Sequence, residues 1–527
     1  MKKYFVSSLT ILLATASFGQ FQNIMISNTN DPEEVSICIN PKNTNQIVAG
    51  ANIDNVFFSN DAGLTWNINI LSDTTNGVWG DPIVFCDTTG AFFFSHLADP
   101  SHDGWGSPNF LDRIVIQKST DGGANWNAGT YPLPNNPKIQ DKEGVAVNHL
   151  TNEIYITWTQ FDNYGTTVPT DSTVILFSKS ADGGLTWSMP KRISAQAGDC
   201  VDSDNTVEGA VPTVGPNGEI YVAWAGPNGI VFNKSLDDGN TWLPQETLVT
   251  SMPGGWDYNI TGLDRCNGLP ATSCDISGGP NNGTIYINWT DQRNGTGDTD
   301  VWLIKSTDEG LTWSIPMRVN NDAPGKQQFL TWMCIDQTTG SVYFIFYDRR
   351  NYSSSSLQTD VYLARTIDGG NSFTNYKINQ TAFVPSSSVF FGDYIGISVT
   401  NNVIRPIWMA FSSGTLSVWT AIVNGTTLGI DESSLTSYSP LELKQNYPNP
   451  FKENTWIKFN LKKSTKVNLF VYDILGHKVA TLYENEQFNE GNYDYIFNAS
   501  SFSLSSGIYY YSLSCNEYEQ TKKMIVH

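Results

Sequence analysis

The sequence predicts an all-β chain: a ring of seven four-stranded antiparallel sheets followed by a small C-terminal β-sandwich. Three observations predict it. An eight-residue turn motif recurs six times, its aspartates 60, 61, 55, 71 and 60 residues apart. Pairs of short apolar runs with strand-like alternation precede each copy. The composition, 13% aromatic, 15% charged and 44 glycines in 527 residues, suits a chain of many strands and turns.

The turn motif is clearest at Ser306-Thr307-Asp308-Glu309-Gly310-Leu311-Thr312-Trp313. Its aspartate can accept hydrogen bonds from the N–H groups of its own turn. Its glycine admits a positive φ, and the threonine hydroxyl can bond back into the turn. The tryptophan offers a large apolar ring where neighbouring sheets meet. The six aspartates are Asp61, Asp121, Asp182, Asp237, Asp308 and Asp368, and all are read as structural. The second copy carries Asn125 in place of the threonine, and the sixth ends in Ser372-Phe373.

Each repeat begins with a strand pair. Val145 to Asn148 turns into Ile154 to Trp158, Ala210 to Val214 into Ile220 to Trp224, and the runs from Ile285 and Val342 continue the series. A third strand leads into the turn motif and a fourth leaves it, the pattern of a β-propeller blade. Turn motifs alone count six blades. Strand pairs count seven, because Tyr394 to Thr400, Val403 to Met409 and Leu416 to Val423 form a last unit without a motif. Its missing strand is expected at the N-terminus, where Asn23 to Asp31 resembles the strand after the fifth motif, so that the ring closes and hides its sheet edges. Residues 22–425 span 404 positions, about 58 per blade, as that spacing requires.

Residues 1–19 read as a signal peptide: Lys2 and Lys3, an apolar stretch from Leu9 to Ala16, then small residues to Gly19. No stretch of 18 continuous apolar residues follows, so no membrane-crossing helix is expected. The net charge of −21 argues against nucleic acid and anionic membranes as partners. From Leu441 onward there are 9 basic and 9 acidic residues, so the excess lies on the central region. Domains are expected at 20–428 (propeller), 429–440 (a Ser-rich linker) and 441–527 (sandwich).

Candidate chemistry lies on the face opposite the turn motifs, where strand two meets strand three. Acidic residues recur where each innermost strand begins: Glu34, Asp81, Glu143, Glu208 and Asp393. A ring of them could supply paired carboxylates for glycoside cleavage, with Glu143, Glu208 and Asp393 the candidate catalytic residues, or could simply bond to backbone N–H groups. Asp199, Asp202, Asp204 and Glu208 gather hard oxygen ligands; Asp202, Asp204 and Glu208 are the candidate calcium set, and no other cofactor is implied. His96, Asp99, His102 and Asp103 share one long loop ending at Trp105, a second place where a metal could bind. Trp256, Tyr258 and Tyr352 are aromatics in polar loops, suited to stacking on sugars or on each other. Arg293 and Arg349 stand in matched Asp–Arg segments, either structural ion pairs or forks for an acidic sugar. Among seven cysteines, Cys38, Cys86, Cys274 and Cys334 read as one buried position repeated; Cys200 and Cys266, in polar loops, are the candidate disulfide, and Cys515 is left over.

The turn motif is the signature of the Asp-box (BNR-repeat) propellers, and residues 20–425 resemble that superfamily, which includes sialidases. The tail, with Asn446-Tyr447-Pro448-Asn449-Pro450-Phe451, Asp473-Ile474-Leu475-Gly476 and Ser506-Gly507-Ile508-Tyr509-Tyr510-Tyr511, resembles the type A C-terminal sorting domain of the type IX secretion system of Bacteroidota. That resemblance implies outer-membrane passage and release or surface attachment. Sialidases of this fold need an arginine motif ahead of the first Asp-box, and no Arg precedes Arg113, so exo-sialidase activity is not expected. The function expected is an exported module that binds glycans or proteins, the alternative a glycoside hydrolase using carboxylates at the propeller centre. Extracellular glycans or glycoproteins and the secretion machinery are the expected partners.

Overall fold

The structure is a computed structural model. It describes residues 21–428, except 136 and 413, and residues 441–527, except 462, 475, 516 and 517. The expected signal peptide and linker lie outside the described residues. The chain divides between Thr427 and Leu428 into two compact units.

In the first unit the described strands form seven antiparallel sheets, six of four strands and one of three. Sheet 3 is representative: Ile139–Val147, Ile154–Phe161, Thr173–Ser180 and Lys191–Arg192 in that order. Middle strands such as Ile220–Gly226 and Ser341–Asp348 are buried throughout, because a neighbouring sheet covers each face. Large aromatics fill the interfaces, with Trp224, Trp289 and Trp408 fully buried. Sheet 2 has three strands, Gly80–Cys86, Phe92–Leu97 and Ile114–Ser119; its fourth edge is reduced to one bridge between Ile116 and Thr130.

The seventh sheet joins both ends of the unit. Gly396–Thr400, Val403–Ser412 and Thr415–Asn424 are completed by Gln22–Ser27, which pairs antiparallel with the third of them. The first strands of successive sheets lie side by side, and that of the seventh lies beside that of the first.

The turn motifs fasten neighbouring sheets. In the fifth, the Asp308 carboxylate accepts from the Thr312 amide (2.9 Å) and hydroxyl (2.6 Å) and from the Ser306 hydroxyl (2.7 Å). The Ser306 hydroxyl in turn accepts from the Gly310 amide at 2.8 Å. The other five copies repeat this lattice, with Asn125 and Ser372 standing in for threonine without loss of the bond. Gly310 (φ 79°) lies against the Phe232 ring of the preceding sheet, and Gly239 (φ 76°) against Phe177. Trp313 and Trp242 meet the same two rings edge-on.

In the second unit, Leu441–Leu443, Asn454–Leu461 and Gly491–Asn498 form one sheet. Lys478–Phe488, Thr465–Tyr472, Gly507–Cys515 and Tyr518–Val526 form another. Alternate residues of both, including Ile457, Phe459, Leu469 and Leu513, build one shared core.

One sequence expectation about cysteine is settled differently here. Cys200 and Cys266 are both free and buried, so the expected disulfide is not formed. Cys200 lies beside the backbone of Asp162 and Asn163, whereas Cys266 lies beside Tyr258. Cys38 and Cys86, on adjacent first strands, lie within contact of one another.

Candidate functional site

The site grows from a repeated backbone irregularity. Near the start of the first strand, sheets 2 and 3, sheet 4 (first strand Glu208–Val214) and sheet 6 (first strand Gln328–Asp336) each carry a bulge in which two residues oppose one on the partner strand. The first bulged residue has positive φ: Asp81 (52°), Lys142 (47°), Gly209 (71°) and Leu330 (48°). Glu34 (51°) in sheet 1 and Gly392 (91°) in sheet 7 share that conformation. A left-handed backbone at a non-glycine residue costs about 1–2 kcal/mol, and here the side chains of Glu34, Asp81 and Lys142 meet.

This bulge corrects the expected ring of five equivalent acids, which occupy three successive positions. Asp141 and Glu208 precede the bulge, Glu34, Asp81 and Lys142 stand at its first residue, and Glu143 and Asp393 at its second. In sheet 3 a lysine therefore takes the place that carboxylates hold in sheets 1 and 2. Its ammonium lies 2.9 Å from Asp393, 3.3 Å from Asp81 and 3.6 Å from Glu34. Arg265 grips Asp393 through Nε (2.8 Å) and Nη2, and Asn52 donates to Glu34.

These groups border a polar cavity of about 210 Å³. On another side of it stand Asp141, Asp202 and Glu208. Asp202 accepts from the Tyr164 hydroxyl and lies in hydrogen-bond contact with Glu208. Trp79, Trp105, Tyr164, Trp256 and Phe390 supply aromatic walls. Trp105 is 62% exposed and packs against Tyr164 with ring centres 5.3 Å apart. A second, mainly apolar chamber of about 230 Å³ shares Asp81, Lys142 and Asp393 with the first and is lined by Glu143, whose carboxylate accepts from Ser95 at 2.8 Å.

The electrostatics divide the carboxyl groups. Burial raises Glu208, and Asp202 and Asp141 add to the rise by repulsion. Burial likewise raises Glu34 and Glu143, aided by Asp81. Asp141 is pushed up to about 7 by burial, then by Asp81 and Asp202, with Lys142 opposing. Asp393 goes the other way: burial works against its charge, but Lys142 and Arg265 together outweigh it and hold the group below the usual range. Lys142 rises because Asp393, Asp81 and Glu34 outweigh its own burial.

A stability profile follows from these shifts. Asp141, and Glu33 at about 8 through burial and Asp31, keep protons in the folded state that the unfolded chain has released. Their contribution is full at low pH and is lost as pH rises from about 4 toward 8. The turn aspartates Asp182 and Asp368 are held at about 2: burial opposes the shift at Asp368, but hydrogen bonds to the turn dominate at both. Their contribution is lost as pH falls below about 4. Calorimetry of the full chain is expected to show the first unit's transition highest near pH 4–5 and lower at both pH 8.5 and pH 2.5.

The structure distributes the other sequence candidates differently. Glu208, Asp393 and Trp256 line the polar cavity; Glu143 does not, because the bulge turns it into the apolar chamber. Arg293 is bound to Asp291 (2.6 Å) and stacked on Trp302. Arg349 is buried, donating to Thr261 and Gln327, and it is Arg350 that pairs with Asp348. Tyr258 bonds to Thr290, and Tyr352 to Asp360 at 3.0 Å. These four residues serve loop packing and do not line the cavity. The calcium set does not converge, since Asp204 accepts from the Asp257 amide (2.9 Å) while Asp202 and Glu208 face each other. Among the described residues no three His, Cys, Asp or Glu side chains are placed to hold a metal. In the 96–105 loop His96 is fully buried, and the loop's contribution to the site is Trp105. Sequence reasoning missed Lys142, Arg265, Asp141 and Tyr164. Lys142 was within reach, since aligning Asp141-Lys142-Glu143 on the bulge of the neighbouring sheets would have placed it.

With this geometry in hand, comparison with known proteins divides the chain. Residues 445–527 match the family model described as a secretion system C-terminal sorting domain. The tail is a type IX sorting domain. The sorting domain directs the protein through type IX secretion to the cell surface or the outside, and no described helix is long and apolar enough to cross a membrane. Comparison with curated proteins gives no match. Among solved structures, the chain is similar to NanB sialidase from Streptococcus pneumoniae (10% identity, 72% of this chain and 83% of that one, TM-score 0.44). It is also similar to Trypanosoma rangeli sialidase (12%, 88% and 85%, 0.40) and to an ulvan lyase of polysaccharide lyase family PL25 (11%, 77% and 96%, 0.43).

Proposed function

We propose that the first unit is a seven-bladed propeller closed by its N-terminal strand, and that its axial polar cavity is a carbohydrate-cleaving site delivered outside the cell. The observation that carries this reading is the meeting of Asp141, Asp202 and Glu208 in one aromatic-walled cavity. Asp141 keeps its proton to about pH 7, while beside it Asp202 accepts from the Tyr164 hydroxyl and lies in hydrogen-bond contact with Glu208. A carboxyl group that keeps its proton beside one that accepts hydrogen bonds can hold a proton donor and a proton acceptor in one site. Asp141 is the general acid, giving its proton to the glycosidic oxygen as the C–O bond breaks. Asp202 accepts the proton of the water that adds to the sugar carbon. Trp105, Tyr164 and Trp256 offer faces for the rings of the chain.

Lys142 and Arg265 are positioning residues. They fix Asp393, which receives both cations and also holds Asn267 through its backbone carbonyl at 2.9 Å.

The reading is tested by sugar release from a glycan panel. Wild-type protein is expected to release reducing ends from at least one glycan. Asp141→Asn is expected to lower the rate about 10²–10⁴-fold with the unfolding midpoint kept or raised, since the buried proton no longer has to be held. Saturable binding with no release by the wild type would instead establish the binding-module reading.

A further inference from the structure

The cavity is over-supplied with acid. Lys142 is shared by three carboxylates, and Arg265 is engaged by Asp393. Among the described residues, Asp141, Asp202, Glu208 and Asp257 form no ion pair with any lysine or arginine, although all four line the cavity. A sugar carrying a carboxylate or sulfate would meet repulsion there. A neutral sugar would leave the repulsion among these acids unrelieved.

A second observation points to what is bound. Glu208 is 1% exposed, and its Oε2 is buried without a hydrogen-bond partner. The indole N–H of Trp256, 6% exposed, is also unpartnered. Unsatisfied buried polar atoms at a cavity wall are expensive unless a ligand completes them. An ammonium group has three donors and a full positive charge, which suits the carboxylate of Asp202 and the unpartnered Oε2 of Glu208. The neighbouring faces of Trp105 and Tyr164 add the attraction of an aromatic ring for a cation. The indole N–H is left for a sugar hydroxyl. We propose that the cavity recognises an amino sugar through its free, protonated amine. This proposal rests on the carbohydrate reading above and names the substrate class of that same site.

The test is equilibrium binding of the full chain to tetrasaccharides of glucosamine, N-acetylglucosamine and glucuronic-acid-containing repeats. It is run at about 0.3 M salt so that general attraction to an acidic protein is screened. The free-amine ligand is expected to bind about tenfold or more tighter than its N-acetylated counterpart, with the acidic one weakest. Glu208→Gln is expected to bring the amine preference toward parity, and Asp257→Asn, at an exposed position that leaves the core untouched, to reduce it. Equal binding of the amine and acetylated forms, with neutral glycans still cleaved, would overturn the amine proposal and leave the carbohydrate reading standing. A preference unchanged in both variants would place its origin outside the cavity and also overturn it. Failure to bind or cleave any glycan would remove both.

Discussion

Lys142→Met is expected to destabilise the first unit by about 3–5 kcal/mol, the range for breaking a buried ion network by removing one partner. The ammonium sits at the convergence of Glu34, Asp81 and Asp393 and is 13% exposed at its side chain. Methionine keeps most of the volume, so the loss isolates charge rather than packing. Three carboxylates would then face one another with Arg265 holding only Asp393. Pairing the change with Asp81→Asn removes one of the stranded charges and is expected to recover part of the loss, a coupling that a double-mutant cycle in urea would measure. A Lys142→Met protein as stable as wild type would show that the three acids do not depend on the lysine.

The second large effect is expected at the opposite face. In Gly310→Ala the new Cβ would lie 2.3 Å from Cε1 and 2.7 Å from Cζ of Phe232, at a backbone φ of 79°. The left-handed backbone costs about 1–2 kcal/mol, and forcing the ring aside typically costs about 1–3 kcal/mol, so a loss of about 2–5 kcal/mol is expected in chemical denaturation. The same substitution at Gly325, where φ is 95° but nothing lies within 4 Å, carries only the backbone cost. A Gly310→Ala loss no larger than that of Gly325→Ala would contradict the close packing of turn and ring.

These two positions also show what a sequence can and cannot reveal here. Gly310 was readable because its role is local: eight consecutive residues contain the aspartate, the hydroxyls that bond to it and the glycine that lets the chain turn. Six copies at regular spacing then made the sheet repeat readable, and the strand resembling the one after the fifth motif pointed to the pairing of Gln22–Ser27 with Thr415–Asn424. The axial cavity follows no such local rule. Lys142 and Asp393 are 251 residues apart, and Glu34 and Asp393 are 359 apart. Their meeting depends on the first strands of successive sheets lying side by side, that of the seventh beside that of the first.

The bulges explain the remaining errors. A one-residue insertion moves a side chain to the other face of its strand, so counting from the apolar runs aligned Glu143 with Glu34 and Asp81 when the backbone aligns Lys142 with them. Arg265 was overlooked beside Cys266, because the loop was read for thiol chemistry. Arg293 and Arg349 attracted attention through their symmetry, which turns out to be that of repeated loop anchors. Polar clusters such as Asp199 to Glu208 are read as metal ligands from sequence because spacing shows proximity along the chain and not the direction of each side chain.

The pH dependence of kcat/KM for glycan cleavage tests the assignment of the axial cavity most directly. With Asp141 as the proton donor and its carboxyl pushed up to about 7, the rate is expected to fall tenfold per pH unit above about 7, and this limb is expected to be absent from the residual activity of Asp141→Asn. A rate unchanged from pH 6 to 9, or the same falling limb in Asp141→Asn, would contradict the assignment.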